Sequence, residues 1–331
     1  MKLILALAFI LIATTANAAT SIPVSGDHSG VTDTTAITNA CKKGQIPSLN
    51  GGVYYVSQIT NCRVIRGDGG LPAYFWYEGE TDVTTVIGVG GGRGVLTCPA
   101  GTACRYTGFT VNPGPGQACV VMDGVHGLQL DSFNCIDPAA QGGDCIDARA
   151  LSGNYNQLLK VIGGVFIHCG GWGLNASEGA GLNDSFVIGA NFSNNQLGNI
   201  NVGAGFGNVW ANNKIEDTYA SNGMVFSGPQ GTSGDSVIVG NVFDQNGIDM
   251  QFTSPDWYGV ITGNISCTSP SAQGIMFSIE GSNFIAGGIN TACGPTYRAL
   301  AGFAPFLDFA DPDPKYFDAT SQTIVGPSVH N

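Results

Sequence analysis

Apolar and polar residues alternate in short bursts along this chain, and one burst recurs. Val161-Ile162-Gly163-Gly164-Val165-Phe166 is followed by Val187-Ile188-Gly189-Ala190-Asn191-Phe192 and by Trp210-Ala211-Asn212-Asn213-Lys214-Ile215. Ile238-Val239-Gly240-Asn241-Val242-Phe243, Ile261-Thr262-Gly263-Asn264-Ile265 and Ile285-Ala286-Gly287-Gly288-Ile289 continue the series. The Gly or Asn between the apolar pairs falls at 163, 189, 212, 240, 263 and 287, in steps of 26, 23, 28, 23 and 24 residues. Weaker copies end at Phe109 and Phe133. Gly and Asn adopt left-handed backbone angles cheaply, so each marks a sharp turn between strands. Each unit carries a second strand signal. These are Cys145-Ile146-Asp147, Gly173-Leu174-Asn175, Asn199-Ile200-Asn201, Val225-Phe226-Ser227, Asp249-Met250-Gln251 and Met276-Phe277-Ser278. The middle residue is apolar throughout and faces inward; its neighbours face outward, because strand side chains alternate.

A unit of about 25 residues with several short strands cannot bury its own apolar face, and stacking copies buries a continuous core. The LxxLxL rhythm of leucine-rich repeats is absent, as is the 3.6-residue periodicity of helical repeats, and a propeller blade needs ~40 residues or more. The pattern predicts an all-β chain, a right-handed parallel β-helix of about eight to nine rungs over Val64–Ala301. An open solenoid end invites edge pairing and needs a cap. Asp33-Thr34-Thr35-Ala36-Ile37-Thr38-Asn39-Ala40-Cys41 reads as a short capping helix over the first rung. The stretch from Pro305 to Asn331 breaks the repeat and reads as a second cap. The expected organisation is a leader over 1–18 and a single domain over 19–331, with an N-terminal cap at 19–63, the coil at 64–304 and a C-terminal cap at 305–331.

Composition narrows the setting. Glycine supplies 50 of 331 residues, about twice its ordinary share, without the period of collagen. Lys+Arg number 12 against 24 Asp+Glu, a formal charge of −12. That balance argues against nucleic acid and anionic membrane as partners. Lys2, the apolar run from Leu3 to Ala13 and Ala16-Asn17-Ala18 form a secretory leader with its cleavage site. The expected location is therefore outside the cytoplasm, extracellular or periplasmic. Ten cysteines follow the leader, an even number suited to disulfides in an oxidising compartment. Neighbouring strands lie ~4.8 Å apart, within disulfide reach. Stacking predicts the pairs Cys119–Cys145, Cys135–Cys169 and Cys267–Cys293. Cys41–Cys62 would tie the cap to the coil, and Cys98–Cys104 would close a small loop. No cysteine or histidine spacing fits a zinc site, and no GxGxxG or P-loop motif follows a strand.

The opening resembles a known group. Gly26-Asp27-His28-Ser29-Gly30-Val31-Thr32-Asp33-Thr34-Thr35-Ala36-Ile37 resembles the GDGVTDDTxAI start of pectate-lyase-3-like β-helix proteins. Gly52-Val53-Tyr54-Tyr55-Val56 and Val64-Ile65-Arg66-Gly67-Asp68-Gly69 resemble the strands that follow it there. That group holds rhamnogalacturonase-like hydrolases, tailspike depolymerases, lyases and epimerases, so the resemblance implies action on polysaccharide rather than one reaction.

A coil of this kind offers a long outward groove. Its second-strand column reads Asp123, Asp147, Asn175, Asn201, Ser227, Gln251 and Ser278, polar throughout, as any solvated strand face would also be. Two acidic clusters stand out as candidates for catalysis. The first is Asp123, Asp144 and Asp147, with Arg149 nearby. Gly143-Asp144-Cys145-Ile146 resembles the DDCI segment of polygalacturonase-like hydrolases, with one Asp before the Cys instead of two. Trp172, in Gly171-Trp172-Gly173, stands at the place of that group's GHG histidine. The second cluster is Glu216, Asp217, Asp244 and Asp249, with Glu216 and Asp244 equivalent on adjacent rungs. Glycoside hydrolysis uses two carboxyl groups, ~5–5.5 Å apart for retention and ~6.5–9.5 Å for inversion. The same acids also suit turn caps or calcium. An outward carboxylate here would add little stability, under about 1 kcal/mol.

Arg149, His168, Trp172, Asn175, Asn201, Asp249 and Gln251 are the candidate substrate-binding residues. His168 is a possible base or a plain turn residue, and Trp172 and Trp257-Tyr258 either stack on sugar rings or cover the flank of the coil. The sequons at Asn175, Asn183, Asn191 and Asn264 arise readily in Asn-rich turns. Basic residues are scarce in the central rungs and the chain is acidic, which disfavours a polyuronate substrate. The expected function is a secreted glycoside hydrolase acting on a neutral or weakly charged polysaccharide without cofactor. A calcium-assisted lyase or epimerase and a non-catalytic glycan-binding adhesin are the alternatives.

Overall fold

A computed structural model of the chain describes residues 18–67, 84–177, 181–228, 234–253 and 257–267, the side chains of 219–221 excepted, and beyond them the backbone of short strands between 275 and 325. The leader, Asp68-Gly69, Gly287, Cys293 and most of the C-terminal cap lie outside the described residues.

The fold is a parallel β-solenoid. Each turn of chain lays down one strand on each of three sides. Side I is a 13-stranded sheet; sides II and III together make an 18-stranded sheet that pairs as two ladders. One turn shows the plan: Leu159–Ile162 on side I, Val165–Ile167 on side II and Trp172–Ala176 on side III. Its strands pair in parallel with those one turn on, as in Val161↔Val187, Phe166↔Phe192 and Leu174↔Ile200. The ladders begin before Val64, since Ala19–Ile22 already pairs with Ile46–Leu49 on side I.

The recurrent Gly or Asn makes the corner between sides I and II. Gly163, Gly189, Asn212, Gly240 and Gly263 all have φ between 54° and 66°, the left-handed turn that the repeat predicts. The next residue points inward, and at three successive described corners it is asparagine: Asn213, Asn241 and Asn264. Asn241 Oδ1 accepts from the Asn213 backbone N–H and amide at 3.0 and 2.9 Å, and Asn264 Oδ1 does the same for Asn241. This ladder satisfies backbone groups that a sharp corner strips from the sheet. Asn264 is thereby fully buried, which removes its sequon from access. Earlier turns use shape instead. A Cβ on Gly164 (φ 94°) would lie 2.1 Å from the Phe133 carbonyl oxygen, so only glycine fits.

The interior is a stack of apolar side chains. Phe109, Phe133, Phe166 and Phe192 follow one another at ring separations of 5.3, 6.4 and 4.9 Å. Trp257 belongs to this core: it is fully buried, meets Phe226 edge-on at 5.1 Å, and donates its indole N–H to the Ser227 carbonyl. It is not available to stack on a sugar. The first turn is closed by α1 (Val31–Lys42), which buries Ile37 and Asp33. Asp33 accepts from the Ser25 and Tyr55 backbone N–H groups and so pins the helix to the coil.

Cys41–Cys62 and Cys98–Cys104 form as expected. The next two bridges differ from expectation: Cys119 pairs with Cys135 and Cys145 with Cys169, at Cα separations of 5.9 and 5.6 Å. Cys119 and Cys145 precede the in-register pair Val120↔Ile146. Their Cβ bonds therefore run parallel and hold the sulfurs at the strand spacing, wider than the ~3.8 Å between Cβ atoms that a disulfide favours. Cys135 and Cys169 approach from side II across the corner, where bond directions converge. All four sulfurs meet at that corner, with Cys135 Sγ 3.4 Å from Cys169 Sγ.

Candidate functional site

Side III carries the groove column, with a register that the repeat does not reveal. Its outward in-register positions are Thr97, Val121, Asp147, Asn175, Asn201, Val225 and Gln251. Asp123 and Ser227 are therefore not equivalent to Asp147; each lies two residues past the column. A slip of two preserves the inward–outward alternation. Val120 and Met122 are both buried, as are Met224 and Phe226, so the apolar pattern does not distinguish the two alignments.

The first acidic cluster nonetheless assembles, around an arginine that no sequence motif marks. Arg93 stands just before the strand Gly94–Cys98. Its Nε and Nη2 donate to Asp147 Oδ2 and Oδ1 at 2.5 and 2.7 Å, and its Nη1 donates to Asp123 Oδ2 at 2.9 Å. Arg149 grips the same Asp147 from the other side, with Nε and Nη2 both at 3.0 Å. Asp123 Oδ1 accepts from the Ser152 backbone N–H. Asp144 lies next in the network, its Oδ2 3.9 Å from Arg149 Nη2. Asp144 accepts from the Trp172 backbone N–H at 2.7 Å and from the Asn175 amide at 2.9 Å. The Trp172 ring lies against the backbone of Gly198, where a Cβ would stand 2.2 Å from its Cζ3. Turn-to-turn stacking thus brings Arg93, Asp123, Asp144, Asp147, Arg149, Trp172 and Asn175 together.

The environments of the two central acids diverge. Burial pushes Asp144 up, and its two hydrogen-bond donors do not offset the loss of solvent and the neighbouring Asp147 charge. Burial also acts on Asp147, but hydrogen bonds and charge from Arg93 and Arg149 outweigh it and hold this carboxyl below its ordinary range. Arg93 is held above its ordinary value, because the Asp147 contact outweighs its own desolvation. Asp147 is 2% exposed and its lone pairs are filled by the two guanidinium groups, whereas Asp123 is 26% exposed. Asp147 therefore organises the cluster, Asp123 is its carboxyl group open to solvent, and Asp144 is suited to carry a proton.

The other candidates lie apart. Glu216 and Asp244 are in register, on the outer face of side II, with Lys214 Nζ 2.6 Å from Glu216. Asp217 accepts from Ser193 Oγ at 3.2 Å. Asp249 does not join them. It points into the core, fully buried, and accepts from Ser266 Oγ and from the Asn246 amide. Burial pushes it up to about 7. His168 occupies a left-handed corner (φ 60°) shared by Asn194, Asp217 and Gln245 on later turns, which is the turn-residue role. Gln251 is held by the Asn222 amide. Asn201 keeps a buried Oδ1 without a hydrogen-bond partner among the described residues.

No described protein family matches the chain, and no curated protein is similar to it in sequence. Two crystal structures share the fold. The Dettilon tailspike protein (gp208) superposes over 93% of this chain and 68% of its own, with TM-score 0.54 and 12% identity. PfbA, a surface adhesin of Streptococcus pneumoniae, superposes over 94% and 91%, with TM-score 0.57 and 10% identity. At such identity the likeness establishes the solenoid fold, and neither structure places the chain in the pectate-lyase-3-like group.

Proposed function

We propose that this chain works outside the cell, binding a neutral polysaccharide along side III and hydrolysing it at the Arg93 cluster. Asp144 is the proton donor and Asp123 the partner carboxylate; Asp147 and the two arginines position them. The observation that carries the reading is that Arg93, Asp147 and Arg149 gather into one network a buried carboxyl group raised above its ordinary range, Asp144, and a carboxylate open to solvent, Asp123, the two kinds of carboxyl group that glycoside hydrolysis uses. Two guanidinium groups face three carboxyl groups, so no uncompensated positive charge remains to hold a polyuronate. Beside the buried Val121 and Val225, the rest of the column offers the Thr97 hydroxyl and the amides of Asn175, Asn201 and Gln251, which suit neutral sugars. A surface adhesin among the structures of this fold accords with a setting at a cell surface. The filled lone pairs of Asp147 also support a second reading, a rigid platform that binds glycan without cleaving it.

A panel of neutral and uronic polysaccharides decides between these. Hydrolysis releases new reducing ends without unsaturated, ultraviolet-absorbing products; a lyase produces both. Asp144→Asn should lower turnover at least ~10²-fold while retaining substrate binding. Binding with no product from any polysaccharide would leave the platform reading.

A further inference from the structure

Two disulfides meet at the corner between sides II and III. Cys119–Cys135 and Cys145–Cys169 belong to successive turns, and all four residues are fully buried. Cys135 Sγ lies 3.4 Å from Cys169 Sγ, although the two belong to different bridges. The sulfurs of Cys135, Cys145 and Cys169 all fall within 4.8 Å of one another. A bond between Cys135 and Cys169 therefore needs an approach of only about 1.4 Å. The corner also abuts the candidate site. Cys145 follows Asp144 in the chain, its backbone N–H donates to the Trp172 carbonyl at 2.8 Å, and its bridge ties this segment to the next turn.

We propose that this corner is a redox-sensitive switch, in which loss of either disulfide is followed by transfer to a Cys135–Cys169 bridge that leaves Cys145 free beside Asp144. A dithiol reductant supplies two electrons and two protons, becomes a disulfide itself, and opens one bridge. When Cys145–Cys169 opens, the Cys169 thiolate attacks Cys135 Sγ. The Cys135–Cys169 bond forms, the Cys119–Cys135 bond breaks, and Cys119 leaves as a thiolate and takes up the proton that Cys169 gave up. When Cys119–Cys135 opens instead, the Cys135 thiolate attacks Cys169 Sγ and expels Cys145 in the same way. Both routes end with one bridge and two thiols, Cys119 and Cys145, whose parallel bonds on in-register strands keep them from closing a second bridge. Transfer between sulfurs already in contact is intramolecular and needs no further reductant. Burial shields the intact pair, so the switch answers to a dithiol that reaches the corner during local opening. The transfer stands on the sulfur geometry; its bearing on catalysis rests on the hydrolytic reading of Asp144.

Partial reduction of the full chain tests this. Tris(2-carboxyethyl)phosphine at pH 3 opens bridges without exchange, because the attacking species is the thiolate. Half of the sample is trapped at once with N-ethylmaleimide, and half after transfer to pH 8, near the ordinary thiol value of ~8.5. Among chains that have lost one of the two bridges, the first half should retain Cys119–Cys135 or Cys145–Cys169. The second half should show Cys135–Cys169 in at least about a tenth; a smaller share overturns the proposal. Cys119→Ala combined with Cys145→Ala decides independently, whether or not the corner resists reduction. The folded double variant should carry the Cys135–Cys169 bridge and exchange its amide hydrogens over 144–147 at least about 10-fold faster than the unaltered chain. Two free thiols in it, or unchanged amide exchange, overturns the switch. Should the variant misfold, the partial reduction still decides.

Discussion

Replacing Asp147 by asparagine keeps its shape and removes the charge that two arginines enclose. The carboxylate accepts from Arg93 Nε and Nη2 and from Arg149 N, Nε and Nη2, at 2.5, 2.7, 3.2, 3.0 and 3.0 Å. An asparagine offers one acceptor oxygen and turns its NH2 toward a guanidinium. Removing one partner of a buried ion pair costs about 3–5 kcal/mol. Arg93 and Arg149 are 28% and 29% exposed, so water recovers part of this, and Arg93 keeps Asp123. The expected loss is about 2–4 kcal/mol, well above the value for a solvated outward carboxylate. Urea unfolding of Asp147→Asn, Arg93→Gln and the double variant measures it, with a coupling energy of at least about 1.5 kcal/mol. The pH dependence has a definite sign. A carboxyl held low in the folded chain adds stability that is complete above its unfolded value near ~3.9 and is lost as pH falls through the folded value. A loss under about 0.5 kcal/mol, or negligible coupling, would refute the account of Asp147 as the keystone of the cluster.

Asp249 has the opposite sign: raised to about 7, it favours the folded chain fully at acid pH, and that contribution fades between ~4 and 7 at about 1.4 kcal/mol per unit of the gap. Asp249→Asn should flatten that limb of the stability–pH curve, and an unchanged limb would exclude Asp249 as its source. Gly164→Ala forces a Cβ into the Phe133 carbonyl at positive φ and should destabilise by more than about 2 kcal/mol in the same urea assay. Peptide mapping of the unreduced protein should recover Cys119 linked to Cys135 and Cys145 linked to Cys169; a Cys119–Cys145 peptide would contradict the corner geometry.

Local properties are legible in the amino-acid sequence alone. A turn at 163, 189, 212, 240 and 263 needs only a residue that tolerates left-handed angles, and an inward Ile146, Leu174 or Ile200 needs only alternation. Both are set within a few residues, so the repeat, the solenoid and the capping helix follow from them. The Asp144–Asp147–Arg149 segment is visible for the same reason, since its members are neighbours in the chain.

What tertiary structure decided was everything that depends on how one turn sits upon the next. A register slip of two leaves the inside–outside pattern intact, so only the ladder itself shows that Val121, not Asp123, stacks on Asp147. Arg93 reaches Asp147 across 54 residues, with no local signal to mark it as a partner. The bridges of Cys119 and Cys145 depend on bond directions at a corner, and distance along a ladder does not encode those. Asp249 lies on a strand whose alternation breaks at that corner, where it and Met250 both turn inward. Periodicity is a property of the backbone and is written in every unit; the chemistry of the site lies between units, where only stacking brings charges, sulfurs and amides within bonding distance.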